Sequence, residues 1–427
     1  MRRVAAENGE LLRTNKSAVA HWVAGSRPAG RTAAYIVEAL SRRGGRPLTP
    51  DAIGLAGSGH TAEEDDPVSE GIVLGRADLD RLEFLRTAAF TTAGVAMPLD
   101  YDHDAVSRML RARGTLGSVG DEEVQVVRQV TAAFAAADER LGGGHGLSTV
   151  AAYLADTAAP LLRCRFPDDI VRRSAFGAAA ELAYLAGWKH HDLGREGIAQ
   201  RYYLVGYRLA CESDPHSHAA WMMRALAHQA LSLGQPQHCI ELIGRAIMRS
   251  RQRLDGQTEA LLHVTHARAH ARMRQRGDAA RALLAAENAL TRPAEPQPTF
   301  SAVAGPAAGT VASHTARALT DLGDHLGTER QHRSALRKWD REKFRRVHVL
   351  THADLGDSLA AQARYDEAVG AWTRSLDLTS GVDSGRAQTA MRSVVPALLT
   401  YRRRGVPGAV DLYERLARYD IDRTMRT

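Results

Sequence analysis

Lys16, Ser17, Ala20 and His21 fall on one side of a short helical stretch. One cation, one hydroxyl, one imidazole and one small residue that lets the backbone come close form a set able to read base edges in a DNA major groove. Asn15 stands just before them, and Ser26, Arg27 and Arg31 follow at the helix end, where they can hold phosphates. The DNA-contact set read from the sequence is therefore Asn15, Lys16, Ser17, His21, Ser26, Arg27 and Arg31.

Other residues offer less specific chemistry. Trp188, Tyr203, Arg224, His228, Arg268 and Arg272 recur along helical segments and form a candidate groove for a peptide, a small effector or a partner protein. His263, His266 and His270 lie near one helical face, and His190-His191-Asp192 make a second polar cluster. Neither has a full ligand set by spacing alone, so no metal and no cofactor is assigned. Gly142-Gly143-Gly144 lacks the Lys-Ser/Thr ending of a phosphate loop. With no Gly-x-Ser-x-Gly elbow, His-Glu-x-x-His or dinucleotide fingerprint either, no enzyme activity is expected.

The elements that must position the DNA-contact set are legible as caps and stripes. Thr14 or Asn15 can cap a helix of about ten residues that Gly25 and Pro28 end. Val19, Trp22 and Val23 recur at helical spacing and are expected to anchor that helix on a small core. Ala33, Ile36, Val37 and Leu40 form the stripe of a following helix that Gly44-Gly45 ends, and Thr49-Pro50-Asp51 is ordered to start another short one. Over roughly residues 3 to 55 these features resemble the Cro and phage-repressor-like, or Xre-like, helix-turn-helix family, an extent good to a few residues. The resemblance implies DNA binding. It also implies a helix ahead of the one expected over about Arg3 to Leu12, for which Met1 leaves no room, so a truncated module is expected.

Charge is distributed to match. Residues 1–56 hold nine Lys or Arg against four Asp or Glu, so +5 of the formal +7 of the 427-residue chain sits in the segment with the DNA-reading pattern. Residues 57–77 begin with five acids, no base and almost nothing apolar between Gly57 and Glu70, and read as an acidic flexible linker. Hydrophobic residues make up 44% of the chain, enough for two or three domains with sizeable cores. No apolar leader and no run of 18 or more apolar residues occurs, so a cytoplasmic protein without a membrane partner is expected. Cys164, Cys211 and Cys239 lie far apart and read as packing residues.

From residue 78 the pattern is helical, with a connector over 78–160 and a repeat array over 161–427. Its clearest unit is Leu355-Gly356-x-x-Leu359-x-x-x-Ala363-x-Tyr365-x-x-Ala368-x-x-x-Trp372-x-x-Ser375-Leu376, which resembles a tetratricopeptide repeat. Taking Ala363 as the turn, equivalents are expected at Gly194, Gly234, Gly277, Gly323 and Gly405, with small residues following at Ala199, Cys239, Ala282, Thr328, Ala368 and Ala409. The expected fold is all-α: a small helix-turn-helix module and an α-solenoid of tetratricopeptide-like helix pairs.

This order of domains resembles actinomycete regulators of sporulation and antibiotic production. The resemblance implies a DNA-binding transcriptional regulator, a repressor in one version, whose repeats dimerise or bind an effector. The competing expectation is a repeat-based protein-interaction adaptor with a vestigial DNA-binding module.

Overall fold

In the computed structural model, residues 1–7, 12, 14–26, 28, 32–44, 48, 49, 51–55, 66–79, 116–250, 253–293 and 297–424 are described. They form an all-α fold, joined by one parallel pair of very short strands, β1 (Leu116–Ser118) and β2 (Cys164–Arg165). By internal contacts the chain divides into two compact units: Met1–Thr131, Gly146–His191 and Arg195–Arg253, and Ala132–His145, Asp192–Gly194 and Leu254–Thr427.

The first unit opens with α1 (Arg2–Glu7), α2 (Lys16–Val23), α3 (Thr32–Gly44) and a 3-10 turn, Asp51–Ile53. The turn is where Thr49-Pro50-Asp51 was expected to start a helix, and the Ala52 N–H donates to Thr49 Oγ1 at 3.2 Å. Val4, Ala5 and Tyr35 form the small core here, with Leu12 and Ala39 packed against it. Two expected stripes differ. Helix α2 buries no residue, and Val23 is 85% exposed, so Val19 and Val23 do not anchor it. Helix α3 buries Tyr35, Val37, Glu38 and Ser41 while Leu40 is exposed, because α1 covers a face rotated from the one with most aliphatic side chains.

The segment expected as a flexible linker is structured from Asp66 onward. Helix α4 (Pro67–Leu79) buries Val68, Gly71, Leu74, Gly75 and Ala77, a stripe at helical spacing hidden among acids. Asp66 caps it, accepting from the Val68 N–H at 3.0 Å and from the Ser69 hydroxyl at 2.7 Å, with Pro67 in the first turn. A Cβ on Gly75 would sit 2.7 Å from the Ala151 carbonyl oxygen, so glycine permits this close helix approach. The acids find partners: Glu70 pairs with Arg208, and Asp78 accepts from the Tyr202 hydroxyl at 3.1 Å and meets His190 Nε2 at 2.8 Å. Residues 57–65 and the stretch 80–115 of the expected connector lie outside the described residues.

Beyond these come α5 (Asp121–Leu141), α6 (Leu147–Tyr153), a π-helical turn (Leu154–Ala158) and α7 (Ala159–Leu161). Six helix pairs then follow one another: α8 (Asp169–Asp192) with α9 (Glu196–Ser213), α10 (Ser217–Ser232) with α11 (Pro236–Arg249), and α12 (Gly256–Arg272) with α13 (Arg276–Leu290). After the short α14 (Thr299–Ala302) come α15 (Ala307–Leu322) with α16 (His325–Lys338), and α17 (Arg345–Ala361) with α18 (Tyr365–Leu378). In the sixth, α19 (Gly385–Ser393) and α20 (Val395–Arg403) face α21 (Ala409–Thr424).

Each pair turns on one residue of left-handed backbone: Gly194, Gly234, Arg274, Gly323, Ala363 and Gly405, with φ between 59° and 83°. The third turn is therefore Arg274 (φ 59°), not Gly277, and the intervals become 40, 40, 49, 40 and 42 residues. The buried small residues keep this corrected register. Five residues past the turn stand Ala199, Cys239, Ala279, Thr328 and Ala368, all fully buried, so Ala279 replaces Ala282; in the last pair Ala409 stands four past it. Seven residues before the turn stand Gly187, Ala227, Ala267, Ala316 and Gly356, all buried, and at Gly187 and Gly356 an aromatic ring of the second helix lies against the glycine. The one long interval holds Pro293, Pro298, Pro306 and α14, which lengthen the connection between the third and fourth pairs.

Within the second unit an ionic cluster closes the core. Arg346, almost fully buried, reaches Asp138 at 2.7 Å, Glu139 at 2.8 Å and Asp192 at 3.8 Å. Asp192 also accepts from the Gly143 N–H and the Ser384 hydroxyl, each at 3.0 Å. Burial pushes the Glu139 carboxyl up to about 7 against the pull of Arg346. The triple glycine thus has a packing reason: side chains at Gly142 or Gly144 would overlap Asp383.

Candidate functional site

The DNA-reading candidate is built on α2. Asn15 caps it, its Oδ1 accepting from the Ala18 N–H at 2.8 Å. At the other end Gly25 takes φ 103°, the Gly25 N–H donates to the Trp22 carbonyl at 3.1 Å and the Ser26 N–H to the His21 carbonyl at 2.9 Å. This pairing is a Schellman stop, which needs a residue free to adopt left-handed backbone. The helix is thus eight residues long, with both ends fixed locally.

Between those ends Lys16, Ser17, Ala20 and His21 are exposed, as are Asn15 and Ser26 outside them. Asn15 spends its side-chain oxygen on the cap, which leaves its amide nitrogen as the only group there for an external acceptor. Arg27 and Arg31 lie outside the described residues. The N-terminal half of the helix presents N–H groups with no acid in its first turn, a local environment suited to phosphate.

The groove candidates separate. Trp188, Tyr203, Arg224 and His228 come together in the first unit around Tyr184, a residue the sequence reading did not single out. The Tyr184 ring lies 6.4 Å from Trp188, 5.9 Å from Tyr203 and 5.8 Å from Trp221. The Arg224 guanidinium lies 4.7 Å over the Trp221 ring, and burial lowers its proton affinity. Trp188 packs against both His228 and His191, and His191 Nδ1 meets Glu196 at 2.9 Å. Gln229 donates to the same Glu196 carboxylate at 2.7 Å. Tyr203 fills the space left by Gly187, so it serves the helix pair.

Arg268 and Arg272 belong to the second unit, on α12. Arg272 pairs with Asp321 at 2.9 Å, next to Arg274 and Arg276, which donate to the Asp321 and Leu322 carbonyls. Three arginines thus meet the negative end of α15, a structural use of charge. Among the described residues no group of three or more His, Cys, Asp or Glu is arranged to hold a metal, and no helix is long and apolar enough to cross a membrane.

Comparison with known proteins adds one likeness. Residues 1–56 match the family described as the SP15 N-terminal domain. No curated protein and no solved structure matches the chain.

Proposed function

We propose that the chain is a sequence-specific DNA-binding transcriptional regulator, with residues 1–56 as its reading head and the helix pairs as the part that binds an effector, peptide or partner and dimerises. The observation that carries this reading is the exposed face of α2, where Lys16, Ser17, Ala20 and His21 stand clear between a fixed cap and a fixed stop. A short, rigid helix with a small residue at its centre can lie against base edges, and the +5 charge of its segment attracts the duplex. The helix-turn-helix resemblance supports the same reading. A regulator of sporulation or antibiotic production working in the cytoplasm is the finer form of the proposal.

The second reading, a repeat adaptor with a vestigial module, is favoured by one observation: the exposure of Val19 and Val23, since a reading helix ordinarily rests its apolar side on a core. Genomic footprinting of the wild type and of Lys16→Ala and His21→Ala variants separates the two. A base-reading role predicts discrete sites whose occupancy falls by about 10- to 100-fold on loss of a good contact. Occupancy that is absent, or equal in all three proteins, defeats the regulator reading and leaves the adaptor.

A further inference from the structure

We propose that His266 and His270 form a chelating site for a borderline divalent transition metal ion, on the face of α12 in the second unit. The two residues stand one turn apart on the same helix, which puts their rings side by side with centroids 4.3 Å apart. Their Nε2 atoms face each other at 3.1 Å. Two nitrogens at that separation, each about 2.0–2.1 Å from a common point, subtend roughly 100° there, an angle that suits one metal ion.

The proton arrangement supplies a lone pair that an ion can take up between the rings. Gln275 Oε1, which can only accept, lies 2.6 Å from His270 Nδ1, so that nitrogen carries the ring proton and the lone pair of His270 is on Nε2. Gln275 is itself fixed, its backbone N–H donating to the His270 carbonyl at 2.9 Å. An oriented imidazole with a hydrogen-bonded distal nitrogen is the usual support for a metal-binding histidine. Facing it, His266 carries its proton on Nε2 in the metal-free state. Binding places the ion where that proton was, and the His266 ring, reprotonated from solvent at Nδ1, stays neutral.

The surroundings agree. Both rings are partly exposed, so an ion has access from solvent. His263 lies on the same face one turn earlier, but its Nε2 is turned to Glu259 at 3.5 Å, and Glu259 is held by Arg292 at 2.7 Å. The site is therefore a two-nitrogen chelate with remaining positions for water, which by general affinity order takes Cu²⁺ ahead of Ni²⁺ and Zn²⁺.

Titration of the full chain with Cu²⁺ alone tests this, followed by calorimetry and by nitrogen hyperfine structure in electron paramagnetic resonance. The expected result is one equivalent bound by two imidazoles, absent in the His266→Ala/His270→Ala double variant and weakened about 10- to 100-fold by Gln275→Ala. His263→Ala keeps the equivalent. Metal-free unfolding curves of the variants that overlay the wild type exclude misfolding as the cause. A double variant that still binds the same number of equivalents with the same affinity overturns the proposal, as does a Gln275→Ala variant that binds as the wild type does.

Discussion

Gly356 lies directly under the indole of Trp372. No side chain fits between them, because a Cβ on Gly356 would overlap the ring, while the Trp372 N–H donates to the Ala353 carbonyl at 3.2 Å and to Asp357 at 3.1 Å. Gly187 and Tyr203 repeat this relationship in the first helix pair, where the added Cβ would come 2.7 Å from the Tyr203 ring. In both pairs the glycine is seven residues before the turn and the aromatic nine after it.

Replacing either glycine with alanine should therefore destabilise its unit by about 1–3 kcal/mol, the usual range for forcing a methyl into a packed core. Gly370→Ala is the control: it lies in the interior of α18 with nothing within 4 Å of an added Cβ. There the same change should stabilise by about 0.5–1 kcal/mol, through lower backbone entropy of the unfolded chain. Urea unfolding of the three variants checks the sign. Equal shifts would show that helix propensity, not the close approach, governs these positions.

This relationship also shows how far the sequence could be read. The turns at Gly194, Gly234, Gly323 and Gly405 were legible because left-handed backbone selects glycine, and that need is written in the residue itself. Arg274 was not, since its turn is held by a neighbour, the guanidinium bonding to the Asp321 carbonyl. The spacing of buried small residues was the signal that could have found it, as Ala279 and Ala267 both keep register with Arg274 and neither does with Gly277. Helix α4 was missed because its stripe uses Gly71 and Gly75, which read as linker until Val205 and Ala159 are seen against the first and Ala151 and Ala155 against the second. At the candidate sites, residue types were legible and convergence was not. The caps of α2 could be read locally, whereas Tyr184 as a hub and Gln275 as the support of His270 depend on how helices and turns meet.

The left-handed turns yield a second prediction. Ala363, exposed and with φ 59°, carries the steric cost of a Cβ in that conformation. Ala363→Gly should raise stability by about 1 kcal/mol, and Gly323→Ala should lower it by a similar amount. Arg274→Gly should gain less than Ala363→Gly, because the same relief is offset by the lost bond to the Asp321 carbonyl. Thermal and urea unfolding measure all three. An Arg274→Gly gain as large as that of Ala363→Gly would mean that this bond contributes nothing.

Buried titratable groups set the pH dependence. Burial lowers the His218 pKa to about 3 and that of His332 to about 4, whereas Glu139 is raised to about 7. In the unfolded chain the imidazoles titrate near 6.5, so below that pH the unfolded state takes up protons that the folded state does not. Stability is then lost as pH falls from about 6.5 toward the folded values, by about 1.4 kcal/mol per pH unit for each group while the difference is full. Glu139 acts the other way: its folded form holds a proton that the unfolded form releases near pH 4.3, so its contribution is lost as pH rises toward 7 and is constant above that. His266 and His352, also lowered to about 4, act with these imidazoles, and Asp357, raised to about 6, acts with Glu139. Four imidazoles outweigh two carboxyls in the shared window, and above it only Glu139 remains, which places the stability maximum from these groups near pH 6.5. Urea midpoints between pH 4.5 and 8 should show this maximum. Glu139→Gln should remove the decline on its alkaline side, and His332→Asn should make the acid side shallower by about 1.4 kcal/mol per pH unit; a Glu139→Gln profile that keeps the alkaline decline would show that Arg346 holds this carboxyl ionised throughout.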